Sequence, residues 1–133
     1  MVEINAYSKA KDGGKKLSAN FTVKEFACKD GSDAVLTAPR LVMVLQSIRS
    51  HFAAPVVIHS AYRTPQYNAK VGGAAHSQHC YGTAADISVK GQTPATVAAY
   101  ARQLMPDWGG VGVYARQGFT HIDVRETRAD WTG

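Results

Sequence analysis

SQHCYGTAAD (residues 77–86) and FTHIDVR (residues 119–125) are the two stretches that decide how this chain folds. Side chains of a β-strand alternate between the two faces of its sheet. The second stretch, read as a strand, places on one face Phe119, His121, Asp123 and Arg125. It places on the other face Thr120, Ile122 and Val124, which are apolar enough to be the core side. His121 and Asp123 therefore stand together on a face that needs an explanation other than core packing.

The first stretch runs into another predicted strand, residues 84–89, which carries an isolated carboxylate. Strand alternation places Asp86 on the face opposite the apolar side chains of this strand. A carboxylate flanked by alanine and isoleucine is unusual unless it is paired or binds a metal. If the two strands are neighbours, Asp86 meets His121, and His79 reaches both from the loop that Gly82 turns.

Two histidines with one or two carboxylates form a ligand set for zinc. Three protein ligands and one open position are the catalytic arrangement of zinc, whereas closed four-ligand sites are structural. A single histidine is more often a satisfied surface or core residue than a ligand, and only the combination favours a metal. The histidines without such support are predicted to be non-ligands: His51, His59 and His76. Of these, His59 ends a predicted strand close to the site.

Length and composition predict one domain spanning residues 1–133, with a core that a chain of this length can bury. Residues 1–19 are predicted to be a basic lead-in, irregular or short-stranded, and residues 20–125 to hold the motifs. No apolar run is long enough to span a bilayer, and the first residues do not have the pattern of a secretory signal. We therefore expect no stable membrane insertion, and synthesis in the cytosol until the protein is released. We also expect a monomer.

The formal charge of +5 suits a polyanionic partner, such as nucleic acid or an anionic cell wall, but equally a solvated basic surface. RNA-binding sheets pair basic patches with exposed aromatic residues. This interleaving is not found here, so no nucleic-acid partner is predicted. Cys28 and Cys80 are expected to be reduced thiols in a cytosolic chain. Cys80, read as part of an extended segment, is expected to be a small apolar filler.

Helix signals precede most of the strand signals along the chain. The predicted helices are a turn capped by Thr22, a longer helix capped by Thr37, a short helix beginning at Thr64-Pro65, and a helix from Thr93-Pro94 to about Leu104. The longer helix carries a core stripe formed by Leu41, Val44, Leu45, Ile48 and Phe52. The predicted strands are a buried strand over 56–58, a strand over 84–89, and a hairpin of 111–114 with 119–125 that turns near Gln117-Gly118. The pattern predicts a small single α+β domain whose mostly antiparallel sheet is packed by helices.

SQHCYGTAAD resembles the Ser-x-His-x-x-Gly-x-Ala-x-Asp signature of the zinc D-Ala-D-Ala carboxypeptidases. That group shares its metal site with lysostaphin-type peptidases and hedgehog domains. The resemblance extends upstream to SAYRTPQYNAKVGG (residues 60–73) and downstream to GGVGVYARQGFTHIDVR (residues 109–125). It is most similar to the compact peptidase domains of bacteriophage lysins and bacterial wall-remodelling enzymes. The implied fold is that of the hedgehog and D-Ala-D-Ala peptidase group.

The resemblance implies that His79, Asp86 and His121 are zinc ligands. Arg63 matches the family arginine that holds the substrate near the metal, and Ser77 and Gly82 match positions that shape the ligand loop. Arg63 and Ser77 are the expected substrate-binding residues. Many relatives carry an acid three residues before the last histidine ligand, where this chain has Gly118.

Asp123 is the nearest acid that the sequence offers in place of the missing one. It is therefore the candidate for the general base. A ligand role, or a role in orienting His121, stays open at this point.

The reaction implied is metal-assisted hydrolysis of an amide bond in the stem peptide of peptidoglycan, with Arg63 binding a substrate carboxylate or the oxyanion. Either a terminal D-Ala or a bond inside the stem peptide is a suitable target. A lysin that waits in the cytosol for release fits the expected localisation. The alternatives are a zinc-binding hedgehog-like module without catalysis, which the glycine at position 118 supports, and a basic nucleic-acid binder.

Overall fold

The computed structural model describes residues 2–133, which fold into strands and helices around one core. The strands are β1 (Asn5–Ser8), β2 (Lys16–Ser18), β3 (Phe21–Thr22), β4 (Ala34–Thr37), β5 (Val56–Ser60), β6 (Ala84–Val89), β7 (Gly110–Tyr114), β8 (Phe119–Asp123) and β9 (Ala129–Thr132). The α-helices are α1 (Lys9–Asp12), α2 (Pro39–Phe52), α3 (Pro65–Lys70) and α4 (Pro94–Leu104). Two 3-10 helices cover Val23–Phe26 and Gln78–Tyr81.

A five-stranded sheet with the order β5-β6-β8-β7-β9 organises the domain. Its pairs are antiparallel except for β7 with β9, which run parallel. Two small sheets, β1 with β4 and β2 with β3, lie outside it. The predicted α+β class with a mostly antiparallel sheet is confirmed. No helix among residues 2–133 is both long and apolar enough to cross a bilayer.

Helices α2 and α4 cover one face of this sheet, and the alternation of the strands decides which side chains meet them. Ile87 of β6 and Ile122 of β8 are fully buried in the core with Leu45 and Ile48 of α2. The other members of the predicted stripe on α2 follow the same pattern, except that Phe52 is only half-buried. The opposite face of the sheet is left to the polar residues of β6 and β8.

Several predicted elements are confirmed with their capping residues. Thr64 and Thr93 each accept a hydrogen bond from a backbone N–H of the first helical turn, of α3 and α4 respectively, with proline at the start of both helices. Glu25 accepts the N–H of Thr22 at 2.9 Å, which closes the short 3-10 turn. The hairpin of β7 with β8 turns through Gly118, whose φ is +79°. Glycine adopts this left-handed conformation without the strain that a β-carbon brings.

The predicted cap of α2 is wrong. Thr37 is the last residue of β4, and the helix begins after Ala38, which has no side-chain hydrogen bond to offer. Thr37 instead pairs with Asn5 of β1, and its hydroxyl is buried without a hydrogen-bond partner. A hydroxyl residue two positions before a proline therefore mimicked a capping signal, because pairing with a distant strand is not visible locally.

The unpartnered hydroxyl leads to a stability prediction. Thr37→Val is expected to raise the free energy of unfolding by about 1 kcal/mol, because a buried polar group without a partner carries a desolvation cost. Thr120→Val is the matched control. Thr120 is equally buried, but its hydroxyl donates to the carbonyl of Pro94 at 2.9 Å, so this change should lower stability by about 1 kcal/mol. Denaturant melts measure both, and equal destabilisation by the two changes would contradict the prediction.

Other expectations need correction. The strand at 56–58 is not buried throughout: Val57 is 52% exposed, because β5 is an edge strand with one face in solvent. Cys80 lies in the 3-10 helix Gln78–Tyr81 rather than in an extended segment. Strand β9 was not anticipated, because its residues follow the last recognisable motif. The expectation for the two cysteines needs no correction, since Cys28 and Cys80 are both free thiols.

Candidate metal centre

Three side chains meet on the face of the sheet that the helices leave open. His79, Asp86 and His121 are all buried, and one ligand atom from each lies within 4.8 Å of the others. Asp86 of β6 is the direct register partner of His121 of β8, as the alternation of the two strands predicted. The Asp86 carboxylate lies 2.9 Å from Nδ1 of His121 and 3.3 Å from Nε2 of His79.

His79 is aimed by the 3-10 helix that carries it. The Ser77 hydroxyl accepts the N–H of His79 at 3.2 Å and thereby caps this helix. Nδ1 of His79 lies 2.7 Å from the carbonyl of Ala61, so Nδ1 carries the proton and Nε2 is left to face Asp86. The helix ends at Gly82, where φ is +77° and a β-carbon would lie 2.7 Å from the backbone of Leu36. Glycine is required at this position on both grounds.

His121 is held from both sides of its ring. Nδ1 faces Asp86, while Nε2 lies 2.8 Å from the carboxylate of Asp123. Burial by itself would lower the pKa of His121, but the hydrogen bonds to Asp123 and Asp86 outweigh it and raise that pKa. The two histidines therefore present different nitrogens to Asp86, and a backbone carbonyl or a second carboxylate fixes the opposite nitrogen of each.

Asp123 is fully buried, and both of its oxygens are engaged. Oδ1 accepts the N–H of Gly110 at 3.0 Å and Nε of Arg125 at 2.8 Å, and Oδ2 accepts Nη2 of Arg125 at 2.6 Å besides facing His121. Burial by itself would raise the pKa of Asp123, but the hydrogen bonds from His121 and Arg125 hold it well below its usual range. Asp123 is therefore an ionised group enclosed by protein donors.

The pKa of Asp86 is also held well below its usual range. Burial by itself would raise it, and the hydrogen bonds from His121 and His79 outweigh that effect. Arg63 adds a charge partner, with Nη2 at 3.6 Å from the carboxylate. Asp86 is thus ionised, the form in which a carboxylate binds a metal.

Two glycines of β7 make room for this arrangement. Gly110 is paired with Asp123, and a β-carbon on it would lie 2.3 Å from the Asp123 carboxylate. Gly112 is paired with His121 on one side and with Trp131 of β9 on the other, and a β-carbon on it would lie 2.6 Å from the indole nitrogen. The missing side chains let Asp123 and Trp131 lie over β7, where Trp131 comes to 5.0 Å from the ring of His121.

Arg63 follows β5 and is fixed by three contacts. Its Nε donates to the Ser60 hydroxyl at 3.1 Å, its Nη1 donates to Oδ1 of Asn68 at 3.2 Å, and its Nη2 faces Asp86. Asn68 is buried and also donates to the carbonyl of Ala74 at 2.8 Å. Arg63 is therefore tied to the loop of residues 71–77, which forms one wall of the site.

The triad opens into a cleft of about 550 Å³. The loop of residues 71–77 forms one wall, and the opposite wall is aromatic, formed by Tyr114, Phe119 and Trp131. Both Arg63 and Arg125 line the cleft, as does Ser77. Among the described residues, Asp86 is the only carboxylate in the lining, so Asp123 lies behind His121 rather than in the open space.

The donor set fits a zinc ion. Two imidazoles and one carboxylate are the ligands of catalytic zinc sites with an open position, and metal-binding histidines donate their other N–H to a carboxylate or a backbone carbonyl. The partners of His79 and His121 meet that requirement. The remaining histidines are not part of the cluster: His51 stacks on Tyr100, His59 is exposed and bonds Ser88, and His76 is exposed in the cleft wall.

Comparison with known protein families identifies a match that spans most of the chain. The family model described as Peptidase M15 matches residues 17–123, well over half of the chain and a span that includes His79, Asp86 and His121. The match ends at Asp123, so Arg125 and strand β9 with Trp131 lie beyond it. A search of curated proteins found no significant match.

Proposed function

This chain belongs to the peptidase M15 family, and on that premise we propose that it is a zinc-dependent peptidase that hydrolyses an amide bond in the stem peptide of peptidoglycan. In this proposal His79, Asp86 and His121 hold the metal. The observation that carries it is the convergence of Nε2 of His79 and Nδ1 of His121 on the ionised Asp86 at the floor of an open cleft.

A zinc ion in this site would polarise the scissile carbonyl and lower the pKa of a bound water towards neutrality. The protein supplies the positions. Ala61 and Asp123 select which nitrogen of each histidine faces inwards, and the sheet register sets Asp86 between them. All of these groups are buried, so the surrounding protein restricts their movement.

The proposed role of Arg63 is to bind a carboxylate or the developing oxyanion of the substrate. Its guanidinium is permanently charged, and its planar fork suits a carboxylate. Ser60 and Asn68 hold it at the edge of the triad, which removes the cost of ordering it when substrate binds.

Arg63→Lys is expected to lower kcat/KM at least about tenfold, because a point charge replaces a bidentate fork. Zinc content should stay near that of the unmodified protein, and the free energy of unfolding should change by no more than about 1 kcal/mol. Arg116→Lys, a change at an exposed arginine in the hairpin turn, is the matched control. A protein that unfolds on Arg63→Lys would instead indicate an arginine that serves the fold.

For Asp123, burial favours positioning over proton transfer. A general base must reach the proton that it takes, directly or through one water. The Asp123 carboxylate is fully buried and bonded to His121, Gly110 and Arg125. We therefore assign Asp123 the role of orienting His121, which was one of the roles left open by the sequence.

The proposed substrate agrees with the positive charge of the protein, since a net charge of +5 favours an anionic wall. The same proposal includes a lysin role, with the enzyme reaching the wall after release. Mass spectrometry of purified peptidoglycan after digestion tests it, because the fragments identify the bond. Release of D-Ala would identify a carboxypeptidase and stem-peptide fragments an endopeptidase, and intact peptidoglycan would contradict the proposal.

A further inference from the structure

The cleft extends beyond the metal triad on the side of β9, away from Arg63. Along the sheet, Arg63 belongs to the β5 side, and Trp131 belongs to β9 at the opposite edge. Arg125 follows β8, and its guanidinium lies 5.3 Å from the centre of the Trp131 ring. The triad thus has one arginine on each side, and both line the same cleft.

Arg125 is held rigidly for an arginine of the cleft wall. Nε and Nη2 form a two-pronged contact with the buried Asp123, and the Trp131 ring supports the guanidinium. An arginine side chain stays charged in proteins, and the hydrogen bond to Asp123 raises the pKa of Arg125 further. A cation fixed in this way loses little conformational entropy when an anion binds to it.

The contacts with Asp123 do not use all of the hydrogen-bond donors of Arg125. A guanidinium has five N–H donors, and the contacts with Asp123 employ Nε and one terminal nitrogen. The side chain is 31% exposed, although the carboxylate that it neutralises is fully buried. Arg125 therefore contacts the buried Asp123 carboxylate and also lines the open cleft, where a substrate can reach it.

The aromatic wall beside Arg125 is also fixed in place. The indole N–H of Trp131 donates to the hydroxyl of Tyr114 at 2.9 Å, and the ring of Tyr114 stacks on Phe119 with centroids 4.5 Å apart. These rings present an apolar surface next to a cation. That combination suits an aliphatic chain that carries a carboxylate.

We infer that Arg125 and the aromatic wall form a second substrate subsite, which binds a residue with a free carboxylate on the side of the scissile bond opposite to Arg63. The inference rests on the proposed peptidase function. It makes the substrate a peptide with two carboxylates, one for each arginine.

Synthetic stem pentapeptides test the subsite directly. Four forms are needed, in which the free carboxylate of the second residue (glutamate) and that of the third residue (diaminopimelate) are each present as acid or as amide. With the zinc-loaded protein, amidation at one of these positions should lower kcat/KM at least about tenfold. In Arg125→Gln the same amidation should change kcat/KM less than twofold, whereas Arg116→Gln should keep the full effect.

Two outcomes would overturn the inference: equal rates for all four peptides, or a preference for the acid that persists in Arg125→Gln. A second readout does not depend on turnover. In a Trp108→Phe variant, Trp131 is the only tryptophan, and its fluorescence should report binding of the acid peptide at least about tenfold tighter than that of its amide. Failure of all four peptides to react would contradict the proposed function, and the fluorescence titration would still decide whether the subsite exists.

Discussion

His79→Ala and Asp86→Ala are each expected to abolish both metal retention and peptidase activity. Each change removes one of three proposed protein ligands, and with it most of the affinity for the ion. Among residues 2–133, the only cluster of three ligand side chains that could hold a metal contains both His79 and Asp86, so each change leaves two of its three members. Zinc per chain, measured by elemental analysis after dialysis, should fall to background in both.

His59→Ala is the control for these variants. His59 is exposed, lies on the neighbouring strand β5, and bonds Ser88 rather than the cluster. The zinc content and activity of the His59→Ala variant should equal those of the unmodified protein. Full zinc occupancy in both His79→Ala and Asp86→Ala would remove these residues from the metal site and with it the basis of the proposed mechanism.

Asp123→Asn is expected to weaken metal affinity and to lower activity together, by about 10–100-fold. The amide keeps the shape of the side chain but loses the charge that His121 and Arg125 both contact. Nε2 of His121 is then held less firmly, and Nδ1 is less well aimed at the metal position. Zinc titration with a competing chelator and kinetics at saturating zinc measure the two effects separately.

The same measurements would also reveal a general-base role of Asp123. Normal zinc affinity with a turnover lower by about 10²–10⁴ would identify it as the general base, because that is the usual contribution of acid–base catalysis. Near-normal values of both quantities would remove Asp123 from the mechanism and leave His76 in the cleft wall as the next proton acceptor to test. Asp107→Asn, at an exposed acid outside the cleft, is the matched control.

The faces of β6 and β8 were predictable because strand alternation is a local rule. Ile87 and Ile122 on one face and Asp86 and His121 on the other follow directly from it, and the pairing of Asp86 with His121 is observed. The starts of three helices were predictable for a similar reason, because a cap or a proline acts within one turn. These are the 3-10 helix after Thr22, α3 after Thr64 and α4 after Thr93. The loop that carries His79 was predictable from Gly82 and from the family signature. Its 3-10 helix was not, because so short a helix has no periodicity to recognise.

The missed features all depend on contacts between distant segments. Thr37 has the signal of a cap but pairs with β1. Gly110 and Gly112 are recognisable as glycines in a strand, and such glycines mark a close approach of another group. That signal could have pointed to the site. The groups that approach Gly110 and Gly112 are Asp123 and Trp131, and Trp131 lies on β9, a strand that was not predicted from the sequence.

The most direct test of the metal centre is anomalous diffraction from crystals of the zinc-loaded protein, recorded above and below the zinc absorption edge. We expect one zinc peak per chain, at about 2.0–2.2 Å from Nε2 of His79, Nδ1 of His121 and a carboxylate oxygen of Asp86. Nε2 of His121 should stay bonded to Asp123. A zinc peak elsewhere on the chain, or an empty triad in crystals that contain zinc, would show that these three residues are not the metal site.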